Sequence, residues 1–209
     1  MGVNEVLMSG APSGLKHPDG IATLIARIGQ QGDRMVSQLH GALYEQALRL
    51  NMFFAANQAA QAVSVALTTT YAGLCLSNPA GNTKNLVPRQ VSIGVSVHQV
   101  ALSCMGLLGG YVAAGVVTHT AALTTYSCML GNGAASTGLA DSQCTIVGTP
   151  LVIMPFVSTD IITTGTPNKG GGIIDIGGAI IIPPGAYVAI YALTAITGLF
   201  GITWEEVPV

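Results

Sequence analysis

Charge almost disappears from this sequence after Asn51. From there to Val209 the charged side chains are Lys84, Arg89, Lys169, Asp141, Asp160, Asp175, Glu205 and Glu206, in a background of Thr, Ser, Gly, Ala and branched aliphatics. The first fifty residues carry as many: Lys16, Arg27, Arg34 and Arg49 against Glu5, Asp19, Asp33 and Glu45. Over the whole chain 8% of residues are charged and 50% hydrophobic, where an ordinary globular domain has roughly 25% charged. Disorder requires low hydrophobicity and high charge, so this composition argues against it. A formal net charge of −2 argues against a nucleic-acid binder. Two classes remain: a membrane protein, or a β-rich protein whose weakly charged surface is covered by neighbours in an assembly.

The membrane class rests on Val100 to Val117, an uncharged run of 18 residues with Gly106 and Gly110 in G-x-x-x-G spacing. Its flanks do not suit a spanning helix. The nearest cations are Arg89 and Lys169, and Tyr111 falls inside the run instead of at an interface. Two short strands, Val100 to Leu108 and Tyr111 to Val117, joined by a turn at Gly109-Gly110, are the better account.

Other segments also have the period of strands. Val91 to His98 alternates apolar with small or polar residues, which places Val91, Ile93, Val95 and Val97 on one face. Val63 to Thr68 repeats that period, and Gly201 to Glu205 sets Ile202 and Trp204 against Thr203 and Glu205. Tyr187 to Leu193 is apolar on both faces, the pattern of a strand buried between layers. Breakers separate these runs at Asn78 to Gly81, Gly109-Gly110, Gly131 to Gly133, Thr149-Pro150, Pro167 to Gly172, Gly177-Gly178, Pro183 to Gly185 and Thr197-Gly198. Short strands with regular punctuation indicate a sandwich or barrel. No repeat of solenoid or propeller length is visible.

The first fifty residues follow a helical period. Ile21, Leu24, Ile25 and Ile28 form one apolar stripe, with Asp19 placed to cap it, and Met35, Val36, Leu39 and Leu43 form another after Asp33. The expected organisation is an N-terminal arm with short helices over 1–50 and a β-sandwich over 51–209, with Tyr44 to Phe54 open as either a helix continuation or the first strand. Such stripes need a surface to dock on, which makes Ile21, Leu24, Ile28, Met35 and Leu39 the candidate partner-binding residues.

Motifs for chemistry are missing. The chain has no P-loop, no G-x-G-x-x-G after a strand, no G-x-S-x-G and no H-E-x-x-H. His98, Cys104 and His119 have no metal-ligand spacing. Asp141, Asp160 and Asp175 fall where loops are expected, Glu205-Glu206 reads as an exposed edge, and Trp204 as a core or interface anchor. Cys75, Cys104, Cys128 and Cys144 are widely spaced without a C-x-x-C pair, so reduced, buried thiols are expected. The expectation is a non-enzymatic chain with no cofactor and no metal.

Three segments carry a family likeness: Asn78-Pro79-Ala80-Gly81-Asn82-Thr83-Lys84-Asn85-Leu86-Val87, Pro183-Pro184-Gly185-Ala186-Tyr187-Val188-Ala189-Ile190, and Trp204-Glu205-Glu206-Val207-Pro208. In this order they resemble small proteins encoded among the virion genes of tailed bacteriophages, over roughly Tyr44 to Val209. The resemblance implies a virion component, assembled in the host cytoplasm, with a jelly-roll-like antiparallel β-sandwich and a duty as a capsid decoration, or cement, protein. It implies the phage major capsid protein as partner, self-association as a homo-oligomer, a trimer for preference, no nucleic acid or membrane partner, and no catalytic residues. A neck, tail or fibre component would share these features.

Overall fold

Strand alternation and long-range pairing organise the chain. The computed structural model describes residues 42–97, 103–111, 118–159 and 171–209. In chain order they form α1 (Ala42–Leu48), β1 (Met52–Ala56), β2 (Gln61–Ala62), β3 (Thr70–Ser77), β4 (Lys84–Val97), β5 (Ser103–Tyr111) and β6 (Thr118–Leu123). They continue with β7 (Tyr126–Ser127), β8 (Leu139–Thr145), β9 (Leu151–Thr159), β10 (Gly171–Asp175), β11 (Ala186–Ala192) and β12 (Thr197–Pro208).

Eight of these strands pair in a nested series: β1 with β12, β3 with β11, β4 with β10 and β5 with β9, all antiparallel. The series is that of one long hairpin, with its tip between β5 and β9, rolled into two sheets. Its strands lie in the orders β10-β4-β12-β1 and β3-β11-β5-β9, which is the jelly-roll arrangement. Strands β6, β7 and β8 are inserted at the hairpin tip. β8 and β6 extend the second sheet beyond β3, β7 adds to β1, and β2 pairs with the start of β12. The expected antiparallel sandwich is therefore the fold.

The main core lies between the sheets. Strand β11 contributes Ala186, Val188, Ile190 and Ala192 to it, while Tyr187 and Ala189 point the other way into a second buried cluster with Tyr71, Cys75, Leu108, Cys144 and Ile146. Burial on both faces is what its unbroken apolar run requires. Strand β4 alternates as expected: Val91 and Ile93 are buried and Ser92 and Gly94 exposed. Trp204 is fully buried beside Phe53, with ring centroids 6.3 Å apart, so it anchors the core.

Four expectations are corrected, and one alternative left open is resolved. Gly109-Gly110 is not a turn but lies within β5, because β11 passes alongside: Gly110 faces Tyr187, and a Cβ there would lie 2.6 Å from the Tyr187 hydroxyl. Val63 to Thr68 is not a strand; β2 ends at Ala62, and the chain leaves the ladder after Val63 N–H bonds to Ile196. Val97 does not join Val91 and Ile93 inside but is 55% exposed. The register shift between Thr197 and Gly198 leaves Ser96 unpaired, and one extra residue reverses the face that follows. The same shift explains Thr197-Gly198, which bulges a continuous strand instead of breaking it. Finally, Tyr44 to Phe54 is both helix and strand, divided at Leu50, whose φ of 63° ends α1 and turns the chain into β1.

Candidate functional site

Among the described residues from Asn51 onward, most of the few charges are held in pairs. Lys84 Nζ lies 2.8 Å from Glu206 Oε2, Arg89 pairs with Glu205, and His119 Nδ1 lies 2.6 Å from Asp141 Oδ2. Among the described residues from Asn51 onward, Asp175 is the single exposed charged residue, and its carboxylate accepts Gly177 N–H.

Glu205-Glu206 is thus not an exposed edge. Neighbours on a strand point to opposite faces, and each of these carboxylates meets a cation from β4. The shift between Thr203 and Trp204 leaves Arg89 out of the ladder, and the freed residue lays Nε and Nη2 on Glu205 Oε2 while Nη1 reaches Gly177 O at 3.4 Å. Glu206 is enclosed. Besides Lys84, its Oε1 accepts Ser136 Oγ and Thr137 N at 2.7 Å each and Gly138 N at 3.3 Å. Burial pushes the Glu206 carboxyl up, but these donors outweigh it and hold it below the usual carboxylate range.

A second polar hub adjoins the first. Asn78 Nδ2 donates to Lys84 O and Ile182 O, both at 2.8 Å, and Asn82 Nδ2 bridges Asn78 Oδ1 at 2.6 Å and Thr137 Oγ1 at 3.0 Å. Three loops, before β4, β8 and β11, are tied together by these side chains. Sequence reasoning treated Asn78-Pro79-Ala80-Gly81-Asn82 as turn chemistry only; nothing in its spacing announces partners at Thr137 and Ile182.

Asp141 is not in a loop either. It is fully buried in β8, its Oδ1 has no hydrogen-bond partner, and burial raises its carboxyl against the pull of His119. Cys75 and Cys144 are buried and unbridged, whereas Cys104 and Cys128 are only half-buried. The Cys75 thiol is pushed well up by its hydrogen bond with Cys144 and by burial, and desolvation carries the Tyr187 hydroxyl to about 12. Among the described residues no group of three His, Cys, Asp or Glu side chains could hold a metal ion, and no helix is long and apolar enough to cross a membrane. The arm residues Ile21, Leu24, Ile28, Met35 and Leu39, with His98 and Asp160, lie outside the described residues.

Part of what the fold offers outward is apolar. Ile173 on β10 is 72% exposed, Leu199 on β12 50%, and both border Ser92 and Gly94 of β4 on the outer face of the first sheet. Leu151, Val152 and Ile153 are exposed on β9, at the edge of the second sheet, with Tyr111 beside them at the end of β5. Exposed aliphatic surface of this kind is what protein interfaces commonly bury. Among the described residues this is a jelly-roll sandwich with a weakly charged, partly apolar exterior. No family model matches the chain, and comparison with curated proteins and with solved structures finds no significant match.

Proposed function

We propose that this chain is a non-enzymatic structural component of a tailed-bacteriophage virion, and within the virion a decoration, or cement, protein that binds the major capsid protein and stabilises the shell. One observation carries the reading. The sandwich turns its ion pairs inside and leaves Asp175 as its single exposed charged residue among the described residues from Asn51 onward, while large aliphatic side chains stand exposed on the outer face of the first sheet and along β9. A surface of that kind is suited to permanent cover by neighbours. The jelly roll recurs in viral capsid proteins as well as in lectins and cupins, so the fold supports the reading only by analogy.

In this proposal the chain works as a homo-oligomer, a trimer for preference, at junctions between capsid subunits, and Ile21, Leu24, Ile28, Met35 and Leu39 grip the shell or a neighbouring copy. Quantitative mass spectrometry of purified virions tests it. Copies equal to the major capsid protein, or a simple fraction of it, support decoration. A dozen copies or fewer move the protein to the neck, tail or fibre. Absence from the virion removes the proposal altogether.

A further inference from the structure

Strand β6 forms one edge of the second sheet and buries little. Thr118, His119, Thr120 and Ala122 are exposed, and Leu123 alone packs against the main core. Its ladder with β8 is broken by two register shifts: Thr120 is left over on β6 and Ser142 on β8. The extra residue on β8 brings Asp141 and Cys144, three apart in sequence, to the same side of the strand, and Ser142 Oγ fills the irregularity by donating to Ala121 O at 3.2 Å. His119, opposite Cys144, thereby reaches down the strand to Asp141.

That contact is the one ion pair between β6 and the rest of the described residues. Its two ends differ. The imidazole is one-third exposed and the carboxylate is fully buried, with Oδ1 unpartnered. The titratable groups facing Asp141 are His119 from β6 and Cys75 from β3; Cys144 on β8, Tyr71 on β3 and Tyr187 on β11 lie around that thiol. The Cys75 thiol, raised by its hydrogen bond with Cys144 and by burial, and the two phenols, raised by burial, stay neutral, and a thiol or phenol carries no positive charge in any state. When it carries a proton on both ring nitrogens, His119 is the counter-charge for Asp141. When the imidazole becomes neutral it still donates one hydrogen bond, but a buried carboxylate is left without an opposite charge, and such a group is strongly destabilising.

We propose that His119 and Asp141 form a proton-controlled latch that holds edge strand β6 on β8 while the imidazole is charged and loosens it when the imidazole loses its proton. Loosening β6 makes β8 the edge of the sheet, with free backbone donors and acceptors able to pair with another strand. The latch stands independently of the virion reading.

Native-state hydrogen exchange on the full chain tests it, expressed as protection factors so that the intrinsic pH dependence of exchange cancels. Measurements are made at about pH 6 and about pH 8.5. Amides of β6 should lose protection by about tenfold between the two conditions, while those of β11 hold theirs. In His119→Gln, which keeps a donor but cannot be charged, and separately in Asp141→Asn, β6 protection should be the same at both pH values. The proposal is overturned if β6 is equally protected at both pH values in the unaltered protein, if β11 loosens in parallel, or if either variant retains the pH response.

Discussion

Arg89 is the residue that the bulge between β4 and β12 leaves unpaired, and its guanidinium donates through Nε and Nη2 to Oε2 of Glu205 on β12. The bulge is what makes the contact. With Trp204 opposite Pro88 and Thr203 opposite Gln90, Arg89 is freed to turn its fork along the strand. One residue further on, Glu206 points to the other face and is held by Lys84.

Replacing Arg89 by Lys keeps the charge but removes the planar fork. Thermal or urea unfolding should show a loss of about 1 kcal/mol. Arg89→Met leaves the Glu205 carboxylate buried with no cation and should cost more, on the order of 3 kcal/mol. Equal stability of the two variants would mean that fork geometry, and not charge alone, carries the contact.

Glu206 makes stability fall in acid. Its carboxyl is held below the usual range in the folded protein, so it binds a proton more readily when unfolded. The stabilisation is complete above the ordinary carboxyl value near 4.3 and is lost as the pH falls through the lower, folded value. Glu206→Gln should therefore be less stable than the unaltered protein at neutral pH, and that gap should narrow as the pH drops below about 4. A melting series from neutral pH downward measures it, and a gap that does not change with pH would show that the cage holds Glu206 by shape alone.

Glycines in β5 are there for clearance. A Cβ on Gly106 would lie 2.6 Å from the Met154 backbone oxygen and 3.0 Å from Pro155 Cα, so Gly106→Ala forces β5 and β9 apart and should cost about 1–3 kcal/mol. Gly133→Ala meets nothing within 4 Å and should be neutral or slightly stabilising, by under about 1 kcal/mol. Unfolding in urea separates the two, and a harmless Gly106→Ala would mean that the β5–β9 ladder is soft.

Under the decoration proposal, shell binding depends on apolar contacts. The double variant Ile173→Asp, Leu199→Asp alters two exposed side chains, so its melting temperature should move little. The variant Leu24→Asp, Leu39→Asp alters the arm. Co-sedimentation with undecorated capsids should fall about tenfold or more in at least one of the two, since burying an unpaired carboxylate in an apolar contact is costly. Full binding by both would exclude these two surfaces as the grip on the shell.

Local chemistry in the sequence predicts some of this fold well. Strand β4 is readable because Val91, Ile93 and Val95 alternate with Ser92 and Gly94, and β11 because no polar residue interrupts Tyr187 to Leu193. Gly109-Gly110 misleads because the same dipeptide serves two purposes: it opens turns, and it clears space beside a large ring, here that of Tyr187. The inward carboxylates are not legible for another reason. Glu205 and Glu206 find their partners at Arg89 and Lys84, 116 and 122 residues away in the chain, and pattern within a window carries no trace of pairing at that range. Asp141 looks like a loop residue until β6 is laid beside β8. Sandwich class could thus be read from periodicity, but which polar residues are structural is decided by the nested pairing of the strands.

Among the described residues from Asn51 onward, an exterior with almost no free charge changes which conditions would undo its contacts. Added salt screens ions, and there are few here to screen, so ionic strength should have little hold on an assembly made through these faces. Cooling acts differently, because the gain from burying aliphatic side chains near room temperature is entropic and fades as temperature drops. Partners joined through Ile173, Leu199 and the β9 edge would be expected to part in the cold sooner than in brine.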